Sequence, residues 1–443
     1  MEKDCEKILD YVKKEDVLKL TRDVIDIPSP MGSEGKVGEY LLDTFTSWGL
    51  KTYRQEVEAG RFNAIGILEG TGGGPTLMLS GHMDTPWAGD EEGILELGPG
   101  YSPKSYVDED WIYGMGAYNM KSGDTSAIAA LKALVDSGIK LKGDVMFAAV
   151  VGETSHAQVH RYQGPRYRGD GVGAHFLVGN GILADFCIDP EPTTSRIAIA
   201  SGGYVYIEIK ILGNPGATYV RGGAGKDVKP PVNAIEKTLD VIQAIKEWAP
   251  KYKACHLYMG QEATNVTVIS IEAGHPWRPT KVAPYSRVYV EIDTIAGQHT
   301  LAVINEFADL IRSLREKDKD LSIDYRVIQT ATGAEISKDE YGVILLSKCH
   351  KEIYGKDPII TFDSWHADTD TFIRHGIPSV CYGPQGRSRY GGSNYYPKEG
   401  EHCHLDDLVQ GTKVMTLMAV EMCSMTRDDF RTKAPKDRKS LVF

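Results

Sequence analysis

Apolar positions along the chain fall into two patterns that trade places twice. Continuous apolar runs of strand length, 63-NAIGILEG-70, 76-TLMLSGHMD-84, 144-DVMFAAVVGE-153 and 184-ADFCIDPEPT-193, alternate with segments of helical period. The helical segments are 32-GSEGKVGEYLLDTFTSWGL-50, which follows the breaker 28-PSPMG-32, and 122-SGDTSAIAALKALVDSG-138. Strands that are apolar on both faces and separated by helices predict a mostly parallel sheet covered on both sides. The opening stretch MEKDCEKILDYVKKEDVLKL is charged and periodic, so it predicts an amphipathic first helix rather than a cleaved signal.

At about residue 198 the pattern changes: 203-GYVYIEIKILG-213 alternates, as a half-exposed antiparallel strand does. The helix 233–249, the strands 265–274 and 287–295 and the helix 300–317 follow, a β-α-β-β-α unit large enough to fold as a domain. The first pattern then resumes with 358-PIITFDS-364, 378-PSVCYGP-384 and a last helix over 408–425. The expected fold class is therefore α/β: a discontinuous, mainly parallel-sheet catalytic domain with covering helices (1–198 and 316–443), plus an inserted smaller α+β domain (199–315). The alternating strand 203–212 would form an exposed edge of this inserted domain.

Composition removes some functions without choosing one. With 61 acidic and 50 basic side chains the net charge is −11, which disfavours nucleic acid as a partner. No apolar run is long enough to span a bilayer, so a membrane role is not expected. The seven cysteines are scattered and none forms a CxxC pair, which favours a reducing cytoplasm over a disulfide framework.

Chemistry concentrates where the apolar strands end. The motif 80-SGHMDTP-86 carries His82 and Asp84 on one side of an extended chain; 151-VGETSH-156 carries Glu153; 189-DPEPT-193 carries Asp189 and Glu191; 401-EHCHLDD-407 carries His402 and His404. Each alone is an ordinary turn or a helix N-terminus that likes acids. Several strand ends delivering histidine and carboxylates to one sheet edge instead fit mixed ligation of Zn²⁺ or Mn²⁺.

The order of these motifs, with 112-IYGMGAYNMKSGD-124 between them, resembles the co-catalytic metallopeptidase family of aminoacylases, acetylornithine deacetylase, succinyl-diaminopimelate desuccinylase and glutamate carboxypeptidases. The resemblance runs to about residue 425 and includes 230-PPVNAIE-236 in the inserted domain. It implies His82 and Glu191 (or Asp189) as ligands of the first metal, Asp84 as the orienting partner, Glu153 as general base, and His404 or His402 as the late metal histidine. It also implies that the inserted domain serves as a lid or a dimerisation surface, with association into a homodimer or higher homo-oligomer.

The departures matter as much. Asn119 stands where the family has its metal-bridging aspartate, and Thr154 where a glutamate binds the second metal. Ala217 or Thr218 replaces an oxyanion-stabilising histidine, and Asp293 an arginine that holds a substrate carboxylate. Asn119 offers a carbonyl oxygen but no charge, so two cations lose their bridge while one remains tenable at His82, Asn119 and Glu191. One metal still acidifies water, and Glu153 still takes its proton. The expectation is a mononuclear hydrolase that cleaves a C–N bond of a small anionic substrate, by amide deacylation or aminohydrolysis. Arg166 and Arg168 in the run 161-RYQGPRYRGDGVG-173, with Tyr219 and Arg221, are candidates to meet that substrate. The rivals are an inactive binding protein on the same scaffold and a two-metal peptidase with substituted ligands.

Overall fold

The structure, a computed structural model, describes residues 7–88, 93–94, 97–154, 156–220, 230–362, 365–391 and 399–435. The chain divides into two compact units: one is formed by Met1–Ala200, Ala334–Phe362 and Ala367–Val442, the other chiefly by Ser201–Gly333.

An eight-stranded sheet runs through the first unit. Its order is Lys51–Glu58, Arg61–Leu68, Val145–Val150, Leu77–His82, Phe186–Asp189, Ser379–Cys381, Ile197–Ala198 and Ile360–Thr361. The three strands Leu77–His82, Val145–Val150 and Phe186–Asp189 are buried at every position and pair in parallel. Strand alternation explains why their sequences are apolar throughout. Leu77, Leu79, Val145 and Phe147 join the core under the helices Lys121–Ser137 and Leu405–Cys423, which contribute Ile128, Leu131, Val414 and Met418. Met78, Met146, Ala148 and Val150 face the opposite side and meet Ala174, Leu177 and Phe372 from the helices Val172–Gly179 and Thr369–Arg374. In register, His82 lies opposite Val150 and Leu79 opposite Ile188, so the carboxyl ends of the three strands reach the same edge of the sheet.

The N-terminal periodicity resolves into a helix over Lys14–Ile25, preceded by a turn at residues 10–11 that ends a first short helical segment. The helix buries Val17, Leu20, Thr21, Val24 and Ile25.

The second unit is a four-stranded antiparallel sheet, ordered Val266–Ala273, Tyr285–Thr294, Gly203–Leu212, Ser322–Ala331. Val205, Ile207, Ile209 and Ile211 alternate into a core with Val241 and Ile245 of the helix Ala234–Cys255 and with Val303, Phe307 and Ile311 of the helix Thr300–Lys317. The chain order is β-α-β-β-α-β, the ferredoxin-like arrangement. Two sequence expectations change here. The return to the first unit comes after Gly333 and not at 316, because Ser322–Ala331 pairs with Gly203–Leu212 as a sixth element. That same pairing, with Tyr285–Thr294 on the other side, puts the alternating strand 203–212 inside the sheet; it is not an edge.

Candidate metal centre

His82 ends the strand Leu77–His82 with its side chain fully buried. Its Nδ1 lies 2.9 Å from the main-chain oxygen of Asp84. A carbonyl only accepts, so Nδ1 donates to it, and Nε2 is turned to the other side. There Nε2 meets Asn119 Oδ1 at 3.0 Å, Glu153 Oε2 at 3.6 Å and Glu191 Oε1 at 3.6 Å. His82, Glu153 and Glu191 each supply an atom to one group spanning less than 4.8 Å, and all three residues are buried. Three oxygen acceptors around one ring nitrogen call for positive charge between them, supplied by a proton on Nε2 or by a cation in its place. The set fits a divalent cation such as Zn²⁺ or Mn²⁺ through His82, Glu191 and Asn119, with Glu153 beside it.

Asp84 holds the site together in a way its spacing from His82 did not reveal. Its carboxylate is 3.7 Å from the ring it was expected to orient, and the close contact to that ring comes from its backbone oxygen. The carboxylate oxygens instead accept from the amide of Glu153 (3.1 Å), the amide of Thr154 (3.0 Å) and the Thr154 hydroxyl (2.6 Å). Thr154 is therefore turned onto Asp84. At the third strand end, Glu191 and not Asp189 joins the His82 group.

The late motif behaves differently. The strand His402–His404 pairs with Trp111–Tyr113, and both histidines pack on that strand's rings. His402 uses both ring nitrogens, Nδ1 with the Gly400 oxygen (3.0 Å) and Nε2 accepting from the Arg389 amide (3.1 Å). His404 belongs to another group, with Asp110 and Asp406, and is not part of the His82 group. What the late segment brings to the site is Glu401: its Oε2 accepts from the amides of Gly116 (2.9 Å), Tyr118 (3.0 Å) and Asn119 (3.0 Å). Burial pushes the Glu401 carboxyl up to about 7 in spite of those bonds, and it pushes the ammonium of fully buried Lys121 down to about 7. Nothing in the sequence singled out Glu401 or Lys121.

The expected substrate arginines are not gathered at the His82 group by any contact described. Arg166 is exposed over the ring of Tyr167, and Arg168 reaches Glu58 at 3.5 Å. Their loop is fixed from below by an arginine the sequence did not flag. Arg61 is buried, donates to the oxygens of Pro165 (3.0 Å) and Arg168 (2.8 Å), and is paired with Glu34 (2.7 Å) and Glu58 (3.0 Å). In the second unit Tyr219 is exposed, and Arg221 lies outside the described residues. Asp293 is partly buried beside Glu291, and desolvation raises its carboxyl to about 7.

Comparison with known proteins agrees with this architecture. The model of peptidase family M20/M25/M40 matches residues 78–421. An N-formyl-4-amino-5-aminomethyl-2-methylpyrimidine deformylase from Bacillus subtilis is 22% identical over 442 residues, covering 94% of this chain and 96% of its own. The fold is shared with the aminopeptidase PepT of Bacillus cereus (TM-score 0.66, 17% identity, 94% of this chain and 100% of that one). It is also shared with a dinuclear metal-binding M20 peptidase of Bacillus subtilis (TM-score 0.58, 13% identity, 92% and 99%). With the family model matching well over half of the sequence, this chain belongs to peptidase family M20/M25/M40 and is a metal-dependent amidohydrolase of that type.

Proposed function

We infer that this protein hydrolyses the C–N bond of a small non-peptide amide, a deacylation, using one divalent cation per chain. The observation that carries the reading is the convergence of Asn119 Oδ1, Glu153 Oε2 and Glu191 Oε1 on His82 Nε2. His82, Glu191 and Asn119 would hold the cation, which when bound would supply Lewis-acid polarisation of the amide carbonyl and acidify water. The protein's own residues do the rest. The Asp84 main-chain oxygen fixes the Nδ1–H tautomer of His82, which keeps the Nε2 lone pair aimed at the pocket. Glu153, its backbone held by Asp84, takes a proton at Oε2 and returns it to the leaving nitrogen. Burial of all three side chains excludes bulk water and strengthens each of these interactions.

One cation rather than two follows from charge. Asn119 brings no negative charge to bridge a pair, and Thr154 brings a neutral hydroxyl that donates to Asp84. Zn²⁺ and Mn²⁺ both suit the donors. A non-peptide amide is supported by the deformylase that matches along nearly its whole length. For an anionic substrate group the exposed Arg166 is the better candidate, since Arg168 already meets Glu58. Self-association is assigned to the second unit, where the edge strand Val266–Ala273 exposes Ile269 and Ile271.

The test is metal-stripped full-length protein reloaded with Mn²⁺, Zn²⁺ or Co²⁺ and offered formyl, acetyl and succinyl amides of small amines. Turnover of at least one, with about one metal per chain by elemental analysis, is expected. The double variant Asn119→Asp, Thr154→Glu should raise the content to about two per chain. No turnover by any loaded form, or two metals on the unaltered chain, overturns the reading.

A further inference from the structure

The turn that carries Asn119 is held by a side chain from the far end of the sequence. Glu401 is fully buried, and three amide donors of one turn, Gly116, Tyr118 and Asn119, converge on its Oε2. Its other oxygen, Oε1, is buried without a hydrogen-bond partner among the described residues, so the acceptor work falls on one atom. Three N–H groups on one carboxylate oxygen form an anion nest, with charge-assisted bonds stronger than neutral ones. The third donor is the peptide N–H of Asn119 itself, whose Oδ1 stands 3.0 Å from His82 Nε2. The turn is closed from the other side as well. Gly116 has φ +88, and a Cβ there would stand 2.6 Å from Cδ of Lys121, whose Nζ donates to the oxygens of Val24 (3.1 Å) and Ile27 (2.8 Å). Between these two supports the Asn119 backbone has little freedom to move.

We propose that Glu401 is a positioning residue: by accepting from Gly116, Tyr118 and Asn119 it sets where Asn119 Oδ1 stands against His82, and so sets the cation affinity of the pocket. This rests on the reading that the His82 group holds a divalent cation. The hydrogen bonds of Glu401 go to the backbone of the turn, and the one at Asn119 links it to the His82 group. A merely structural Glu401 would change thermal stability and leave cation affinity alone.

The experiment is a double-mutant cycle on the full-length chain, titrated with MnCl₂ by calorimetry, with thermal unfolding recorded in parallel. Glu401→Ala should weaken Mn²⁺ binding by about tenfold or more, the usual size of an effect through a ligand's supporting partner. Asn119→Ala should weaken it comparably, and the double variant no further, since both changes remove the same oxygen from the same place. Glu401→Gln keeps an acceptor of equal reach and should stay within about threefold of the unaltered chain. If Glu401→Ala does not fold, the cycle runs with Glu401→Gln and Glu401→Leu. Mn²⁺ affinity unchanged in Glu401→Ala, or losses that add in the double variant, overturn the inference alone. An unaltered chain that takes up none of Mn²⁺, Zn²⁺ and Co²⁺ overturns the cation reading, and the inference falls with it.

Discussion

Among the described residues, two groups of histidine and carboxylates lie within ligand reach in the first unit: His82 with Glu153 and Glu191, and His404 with Asp110 and Asp406. By composition they are hard to tell apart. By environment they are opposites. In the first, the imidazole is fully buried and the carboxylates nearly so. In the second, the Asp110 and Asp406 side chains are 46% and 56% exposed, and Lys14 Nζ already sits 2.9 Å from one and 2.7 Å from the other. A protein ammonium takes the place a cation would take, and water screens what is left. Nearness of ligand types does not make a metal site; burial of the donors away from screening water counts as well.

The contrast is broken most directly at Glu153. Glu153→Gln keeps the shape of the pocket and removes the proton acceptor, so turnover should fall about 10²- to 10⁴-fold while bound metal stays at the level of the unaltered chain. His404→Ala, the matching change in the other group, should leave both within about twofold. Parallel assays of turnover and metal content check this. Loss of metal in His404→Ala would mean that the late histidine serves the pocket after all.

The separation of the late histidines from the His82 group has a geometric answer. Residues 401–404 approach and enter a strand, so neighbouring side chains point to opposite faces. Glu401 and Cys403 go inward, to the Asn119 turn and the core, while His402 and His404 share the face covered by Trp111 and Tyr113. A one-residue change of register would exchange these roles, and local sequence does not carry the register. The same limit shaped the fold. The buried central strands announced themselves as continuous apolar runs, and His82, Glu153 and Glu191 were legible because they cap those runs. The strands Lys51–Glu58 and Ser322–Ala331 are edge or near-edge strands with mostly exposed or half-exposed residues, and only their pairing partners define them.

Burial also separates the ion pairs. Arg61 grips Glu34 with two nitrogens (2.7 and 3.1 Å), reaches Glu58 at 3.0 Å, and holds two carbonyls of the loop that follows Glu153. Arg61→Ala strands the buried Glu34 charge, and breaking such a pair costs about 3–5 kcal/mol. Arg61→Lys should recover little of it, because an ammonium lacks the planar fork. Urea unfolding of the three proteins measures the difference. A loss below about 1 kcal/mol would show that the loop and the pair relax independently.

The smallest effect is expected at the exposed group, where it is informative through its pH dependence. The hydrogen bond from Lys14 is the largest influence holding the Asp406 carboxyl below its ordinary 3.8, and the same bond raises Lys14 above 10.5. A lowered carboxylate adds stability above its unfolded pKa and loses it as pH falls through the folded one. A raised lysine adds stability below its unfolded pKa and loses it as pH climbs past the folded one. The pair therefore acts fully between about pH 4 and pH 10, and half-exposed ions are worth only about 0.2–1 kcal/mol there. Asp406→Asn should cost that much at pH 7, the gap should close below pH 3.8, and 0.5 M NaCl should shrink it at pH 7. A salt-insensitive loss of several kcal/mol would place this group with the buried one, and the distinction between the two would then rest on something other than desolvation.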